Sequence, residues 1–214
     1  MKRHDAPRST THQHDTRDNL PPAPSASAPA WTLRRLHAID DLQIEQLADV
    51  LVNCVEGGAS VSFMLPLTRE RALAFWQRVA QGVAAGERVL LVAEDAQGIV
   101  GTVQLVIDQP ENQPHRADLA KMLVHRRARR QGLGAALMCA AESLAADCGK
   151  TLLVLDTVTG GDAERLYAQL GWQRAGVIPG FALWPQGGLC ATTVFYREIA
   201  PRAPSPSPSP SPSL

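Results

Sequence analysis

Apolar residues recur along this chain with two different periods, and the alternation between them predicts a mixed α/β domain. Trp31 to Ile39 alternates with the period of a strand. Asp40-Asp41 then precede Ile44, Leu47, Leu51 and Val55 at helical spacing, and Glu56-Gly57-Gly58 ends that helix. After a loop of small and polar residues, Thr68 caps a second helix carrying Leu73, Trp76, Val79 and Val83 along one face. Arg88 to Ala93, Ile99 to Ile107 and Arg116 to Val124 are apolar runs that predict three antiparallel strands, the first two joined through Asp95-Ala96-Gln97-Gly98. Beyond Gly132, Leu133, Leu137, Ala140, Leu144 and Cys148 form one helical stripe that Gly149 stops. Thr151 to Asp156 is a continuous apolar run, as expected of a central strand covered on both faces. A short helix from Asp162 to Leu170 and strands Trp172 to Ile178 and Leu189 to Ile199 complete the pattern.

Composition bounds what surrounds this core. The 214 residues carry 21 basic and 21 acidic side chains, a balance that excludes a large basic surface for nucleic acid. Apolar material concentrates between residues 31 and 200, which predicts one domain there. Residues 1 to 30, rich in His, Arg, Asp, Pro, Ser and Thr without a signal-length apolar run, and residues 201 to 214, where Pro and Ser alternate, predict disordered tails. His12 and His14 make an isolated pair in the first tail, and no metal site is predicted. Cys54, Cys139, Cys148 and Cys190 lack any C-x-x-C spacing and read as small hydrophobes in a reducing cytoplasm. No run approaches membrane-spanning length, so no membrane partner is expected.

The candidate chemistry centres on Val124-His125-Arg126-Arg127-Ala128-Arg129-Arg130-Gln131-Gly132-Leu133-Gly134, where an apolar strand meets a helix through a basic, glycine-containing turn. A helix start presents unpartnered N–H groups and a partial positive charge, so an anion seated there meets donors and dipole together. Glycines at 132 and 134 keep Cβ atoms away from a polyphosphate, and Arg126, Arg127, Arg129 and Arg130 add charge at the rim. A P-loop needs Lys and then Ser or Thr after its last glycine, whereas Ala135-Ala136 follow Gly134. A dinucleotide fingerprint needs a small residue at Leu137, so its glycine pattern fails as well.

Arg129-x-x-Gly132-x-Gly134 resembles the pyrophosphate-binding motif of the GCN5-related N-acetyltransferase (GNAT) superfamily, and Leu166-Tyr167-Ala168-Gln169-Leu170-Gly171-Trp172 is similar to the helix ending found downstream in that family. The resemblance spans about Trp31 to Ile199. In detail, Gly57 to Met64, Leu155-Asp156-Thr157, Ala163-Glu164 with Tyr167, and Pro179-Gly180-Phe181 look like the tabtoxin-resistance acetyltransferase subgroup. The resemblance implies a mixed sheet of about seven strands with a splayed central parallel pair and about four helices. It also implies acetyl-CoA as cosubstrate without a metal. Backbone groups of Leu123 and Val124 would hold the pantetheine, and N–H groups across Arg129, Arg130, Gln131, Gly132, Leu133 and Gly134 the pyrophosphate.

Direct transfer to a small-molecule amine, an amino-acid-like or β-lactam toxin among the candidates, is the activity implied, with antibiotic resistance as its use. A protein or peptide acceptor and a non-catalytic acetyl-CoA sensor are the alternatives. Tyr167 matches the family's general acid, although its spacing with Ala163, Leu166 and Leu170 equally suits a buried helix face. Asp156, at the end of an apolar strand, either orients the acceptor ammonium or caps the turn at Thr157. Glu56 and Asp118 are weaker candidates for the acceptor site. Arg116 and Lys121 would neutralise a substrate carboxylate if they face the pocket, and His125 suits a phosphate contact or surface packing. The first two helices and their loop, with Ser60, Ser62, Phe63 and Pro66, make one wall of the acceptor pocket, and Phe181 and Trp184 line that pocket or lid the core. A monomer or homodimer is expected.

Overall fold

The computed structural model describes residues 30–200, so the expectations for both tails, His12 and His14 included, lie outside the described residues. Seven strands and four α-helices follow one another as β1 (Thr32–Leu36), α1 (Asp41–Glu56), α2 (Arg69–Ala84), β2 (Arg88–Asp95), β3 (Gly98–Val106), β4 (Arg116–Val124), α3 (Leu133–Asp147), β5 (Leu152–Val158), α4 (Asp162–Gln169), β6 (Gln173–Leu183) and β7 (Leu189–Glu198). A single 3-10 turn, Arg126–Ala128, lies between β4 and α3. The helix starts are set as the sequence indicates. Asp40 and Gln43 form a reciprocal capping box, with backbone-to-side-chain bonds of 2.8 and 3.1 Å, and Thr68 accepts from Arg71 N.

The strands form one sheet in the order β1-β2-β3-β4-β5-β7-β6. Only β4 and β5 run parallel, and they pair at three positions, Arg116↔Leu152, Ala117↔Leu153 and Asp118↔Val154. Beyond Asp118 and Val154 they diverge, while β4 stays paired to β3 and β5 to β7. The expected splayed parallel pair is therefore present, and its opening divides the sheet into two arms. On one face α3 and α4 cover a core containing Leu137, Met138, Leu153, Tyr167 and Phe195. On the other, α1 and α2 cover Leu47, Leu51, Trp76, Leu90 and Val92.

Several expectations are corrected by tertiary packing. In α3 the buried stripe is Leu133, Leu137, Met138, Ala141 and Ala145, while Ala140, Leu144 and Cys148 are only partly covered; helical drift brings the neighbouring row onto the sheet. Strand β5 is not covered on both faces, because the splay leaves Asp156 exposed. Strand β6 continues past Ile178 to Leu183 with a register shift between Ile178 and Ala182. Pro179 is tolerated there because β6 is an edge strand, where a missing N–H breaks no ladder. Cys54 and Cys190 are buried as expected of hydrophobes, but Cys139 is exposed.

Candidate active site

The divergence of β4 and β5 opens a cleft of about 1270 Å³ that receives residues from both arms of the sheet. Its floor begins where pairing stops, at Leu119 and Leu155, and one wall is the edge of β4 with no strand against it. An unpaired strand edge presents N–H and C=O groups able to pair with an extended ligand.

At one end lies the start of α3. Gly132 is its N-cap at φ 76°, with no side chain capping the helix and open space where a Cβ would stand. That combination leaves the first backbone N–H groups of α3 available to an anion. Gly134 lines the cleft as well, and a Cβ there would come within 3.1 Å of Leu166 Cδ2.

The cationic rim is smaller than four arginines. Arg127 pairs with Asp95 at 3.1 Å, and Arg126 lies 3.7 Å from Glu56, so both are directed away. Arg129 and Arg130 line the cleft, with Arg129 Nε donating to the Val124 carbonyl at 3.1 Å. The Cys54 thiol, buried behind them, donates weakly to that same carbonyl, and burial pushes its pKa up. Leu123, Val124, Gly132, Leu133 and Gly134 also reach the cleft, whereas Gln131 folds back, donating to the Arg127 carbonyl. His125 caps the 3-10 turn by accepting from Arg127 N, and burial together with the flanking arginines holds its pKa down.

Tyr167 and Asp156 meet in the middle of the cleft. Tyr167 is 4% exposed, with Trp172 and Phe195 both 6.1 Å away centroid to centroid, so the core face and the functional face of α4 coincide. Burial, and then the charge of Asp156, push the phenol well above its ordinary value, which keeps it protonated. Trp172 is itself anchored, its Nε1 donating to Glu142 at 2.9 Å. Glu164 accepts from Thr193 Oγ1 at 2.7 Å and from Gly160 N; these bonds lower its pKa and fix the turn between β5 and α4.

Asp156 follows the buried Leu155 and so points to the opposite face of β5, towards α1 and α2. The Thr192 hydroxyl lies 3.2 Å from Asp156 Oδ2 and 2.9 Å from the Thr157 carbonyl, sharing one proton between them. Among the described residues Asp156 makes no ion pair.

The far end of the cleft comes from segments distant in sequence. The loop between α1 and α2 is strapped to the β6–β7 turn: Ser60 Oγ donates to the Leu183 carbonyl at 3.0 Å, and Leu65 N donates to the Pro185 carbonyl at 2.8 Å. Phe63, Met64, Phe181 and Trp184 make this end largely apolar. Lys121 enters it, its Nζ donating to Ser62 Oγ at 3.2 Å, whereas Arg116 is engaged with Asp118, Gln109 and Gln113 outside the cleft. Glu56 and Asp118 lie outside as well. The α1–α2 loop with Ser60, Ser62 and Phe63, which the sequence reading places in a wall of the acceptor pocket, lines this end of the cleft. Among the described residues no group of three or more His, Cys, Asp and Glu side chains is placed to hold a metal ion.

A mixed seven-stranded sheet that splays at a parallel pair, with a glycine-started helix at the opening, defines the GNAT acetyltransferase fold. Residues 86–174 match the acetyltransferase (GNAT) domain family. Solved structures agree on the fold. The yncA protein of Salmonella typhimurium, solved with its cofactor acetyl-CoA, is 19% identical with a TM-score of 0.65, over 81% of this chain and 99% of that one. A ribosomal-protein-alanine N-acetyltransferase from Brucella melitensis is 18% identical with a TM-score of 0.67, over 78% and 99%. A GCN5-related N-acetyltransferase from Kribbella flavida is 24% identical with a TM-score of 0.65, over 79% and 98%.

Proposed function

We propose that this protein is an acetyl-CoA-dependent N-acetyltransferase whose acceptor is the amine of a small molecule. The strap between the α1–α2 loop and the β6–β7 turn carries the choice of acceptor size. Two hydrogen bonds join these segments across the acceptor end, which supports a compact acceptor over an extended polypeptide. An amino-acid-like acceptor, β-lactam amino acids included, is the finer reading suggested by the subgroup resemblance, with detoxification as its use.

The residues present fit the cosubstrate. The uncapped start of α3, with open space at Gly132, suits a pyrophosphate flanked by Arg129 and Arg130. The free edge of β4 near Leu123 and Val124 suits the amides of a pantetheine arm. When bound, acetyl-CoA supplies the acyl group as an activated thioester.

Asp156 receives the incoming ammonium by charge and hydrogen bonding, and orients the amine once its proton has passed to water or to the carboxylate. Tyr167 holds its proton because its pKa is raised, and donates it at the centre of the cleft, where a thiolate needs one to depart. Burial of Tyr167 against Trp172 and Phe195 limits its rotation, so the donor is positioned before reaction.

The test is release of coenzyme A thiol from acetyl-CoA across small amines, amino acids, β-lactam amino acids and basic peptides. Selective release with small amines supports the reading. Selective release with peptides replaces the acceptor assignment, and binding of acetyl-CoA without any release replaces catalysis with sensing.

A further inference from the structure

Three non-glycine residues among those described have left-handed backbones, Ser62 at φ 74°, Lys121 at φ 50° and Arg130 at φ 59°, and all three line the cleft. Such conformations are strained for residues with a side chain and persist where surrounding structure imposes them. Arg130 belongs to the turn before α3. Ser62 and Lys121 belong to the opposite end and are hydrogen-bonded to each other at 3.2 Å.

The reason for Lys121's conformation lies in the ladder. Leu123 pairs with Thr102 and Ala120 with Gln104, so Lys121 and Met122 together face the single residue Val103. This is a β-bulge whose first residue is left-handed, a position commonly given to glycine. Here a lysine occupies it, and the bulge turns its side chain into the cleft. The ammonium sits above the Phe75 ring at 5.7 Å to the centroid and donates to Ser62, but makes no ion pair among the described residues. Burial holds its pKa below the ordinary lysine value, opposed by the charge of Asp156 and assisted by that of Arg88.

Lys121 and Asp156 thus present opposite charges into one cleft, coupled through space, yet among the described residues neither makes an ion pair; Lys121 is held by Ser62 and Asp156 by Thr192. Lys121 is half-buried, where a charge without a counterion is costly, and a ligand carrying both complementary charges relieves that cost while its amine meets the exposed Asp156. The apolar lining of this end by Phe63, Met64 and Phe181 strengthens the contact at Lys121.

We infer that Lys121, with Ser62 beside it, is the binding site for a carboxylate on the acceptor, so that the substrate class is amino acids whose amine is held at Asp156 and whose carboxylate is held at Lys121. This rests on the acetyltransferase reading and narrows it, since an amine without a carboxylate leaves Lys121 unmatched. Lys121 here is a specificity-determining residue, acting on the substrate without taking part in bond making.

The experiment measures thiol release from acetyl-CoA with the protein L-amino acids and β-lactam amino acids, each beside its own carboxamide, and with simple amines. The wild-type protein should favour the carboxylate member of an accepted pair by about 10- to 100-fold in kcat/KM. Lys121→Met should remove that preference through KM for the carboxylate member, leaving the carboxamide rate and acetyl-CoA binding within about twofold, and Lys121→Arg should retain part of it. Equal use of both members by the wild-type protein, or an undiminished preference in Lys121→Met, overturns the inference. Release with simple amines alone overturns it too, while leaving the transferase reading intact; release with no amine at all, despite bound acetyl-CoA, overturns both.

Discussion

The two ends of the cleft are built in different ways. The end at α3 is made from consecutive residues and mostly from backbone: a strand end, a 3-10 turn, Gly132 at positive φ, and the first N–H groups of a helix. The opposite end is made from side chains contributed by the α1–α2 loop, the bulge of β4, the exposed half of β5 and the β6–β7 turn. A backbone site of the first kind binds what all members of a fold class share, because changing side chains alters it little. A site of the second kind varies with every substitution in four segments, and so is where specificity resides. Tyr167 and Asp156 line the cleft between the two.

Substitutions at the junction should separate the ends most sharply. Tyr167→Phe is expected to lower kcat by about 100-fold or more, the usual range for losing a general acid, while affinity for acetyl-CoA and KM for the acceptor stay near wild type. Full activity in a stopped-flow thiol assay of that variant would remove the proton donor assigned to the junction and leave Tyr167 as a core residue alone.

At the acceptor end, the pH profile offers the next largest effect. The groups facing Lys121 are Ser62 and Phe75, with Asp156 and Arg88 acting through space, and the net result lowers its pKa below 10.5. The cationic form that holds a carboxylate is therefore lost at a lower pH than an exposed lysine would require. KM for a carboxylate acceptor should rise on the alkaline side before that value is reached, and KM for the matching carboxamide should not. Parallel profiles for both would show that Lys121 does not touch the substrate.

At the cofactor end, Gly132→Val places a β-branched side chain at φ 76°, which costs about 1–2 kcal/mol and fills the open space before α3. Titration calorimetry should show acetyl-CoA bound about tenfold more weakly, with the carboxylate-to-carboxamide preference unchanged. Unaltered affinity would remove the anion cradle. The smallest effect is expected from Ser60→Ala, which deletes one hydrogen bond of the strap, worth about 1 kcal/mol. Thermal stability should fall slightly, and bulkier amines should gain rate relative to small ones.

The helices, the strands and the cradle were legible in the sequence because each depends on neighbours a few residues away. Asp40 caps the helix it precedes, Gly132 starts the helix it precedes, and the apolar spacing of Ile44, Leu47, Leu51 and Val55 marks the face that is buried. Local chemistry also misled where contacts are distant. Arg126 and Arg127 suggested a wider cationic rim, but Glu56 and Asp95, far away in sequence, engage them. Strand β5 read as fully covered, and only its divergence from β4 exposes Asp156.

By itself the sequence determined the order of elements, the mixed α/β layers, the glycine-started turn before α3 and the naming of Tyr167 and Asp156 as candidates, since hydrophobic periodicity and capping act over short range. The tertiary structure alone decided that Lys121 rather than Arg116 enters the cleft, that Ser62 meets it, and that the α1–α2 loop is strapped to the β6–β7 turn. The physical reason is register. A bulge of one residue in β4 reverses which side chain faces the cleft, and no local propensity reports where two strands part.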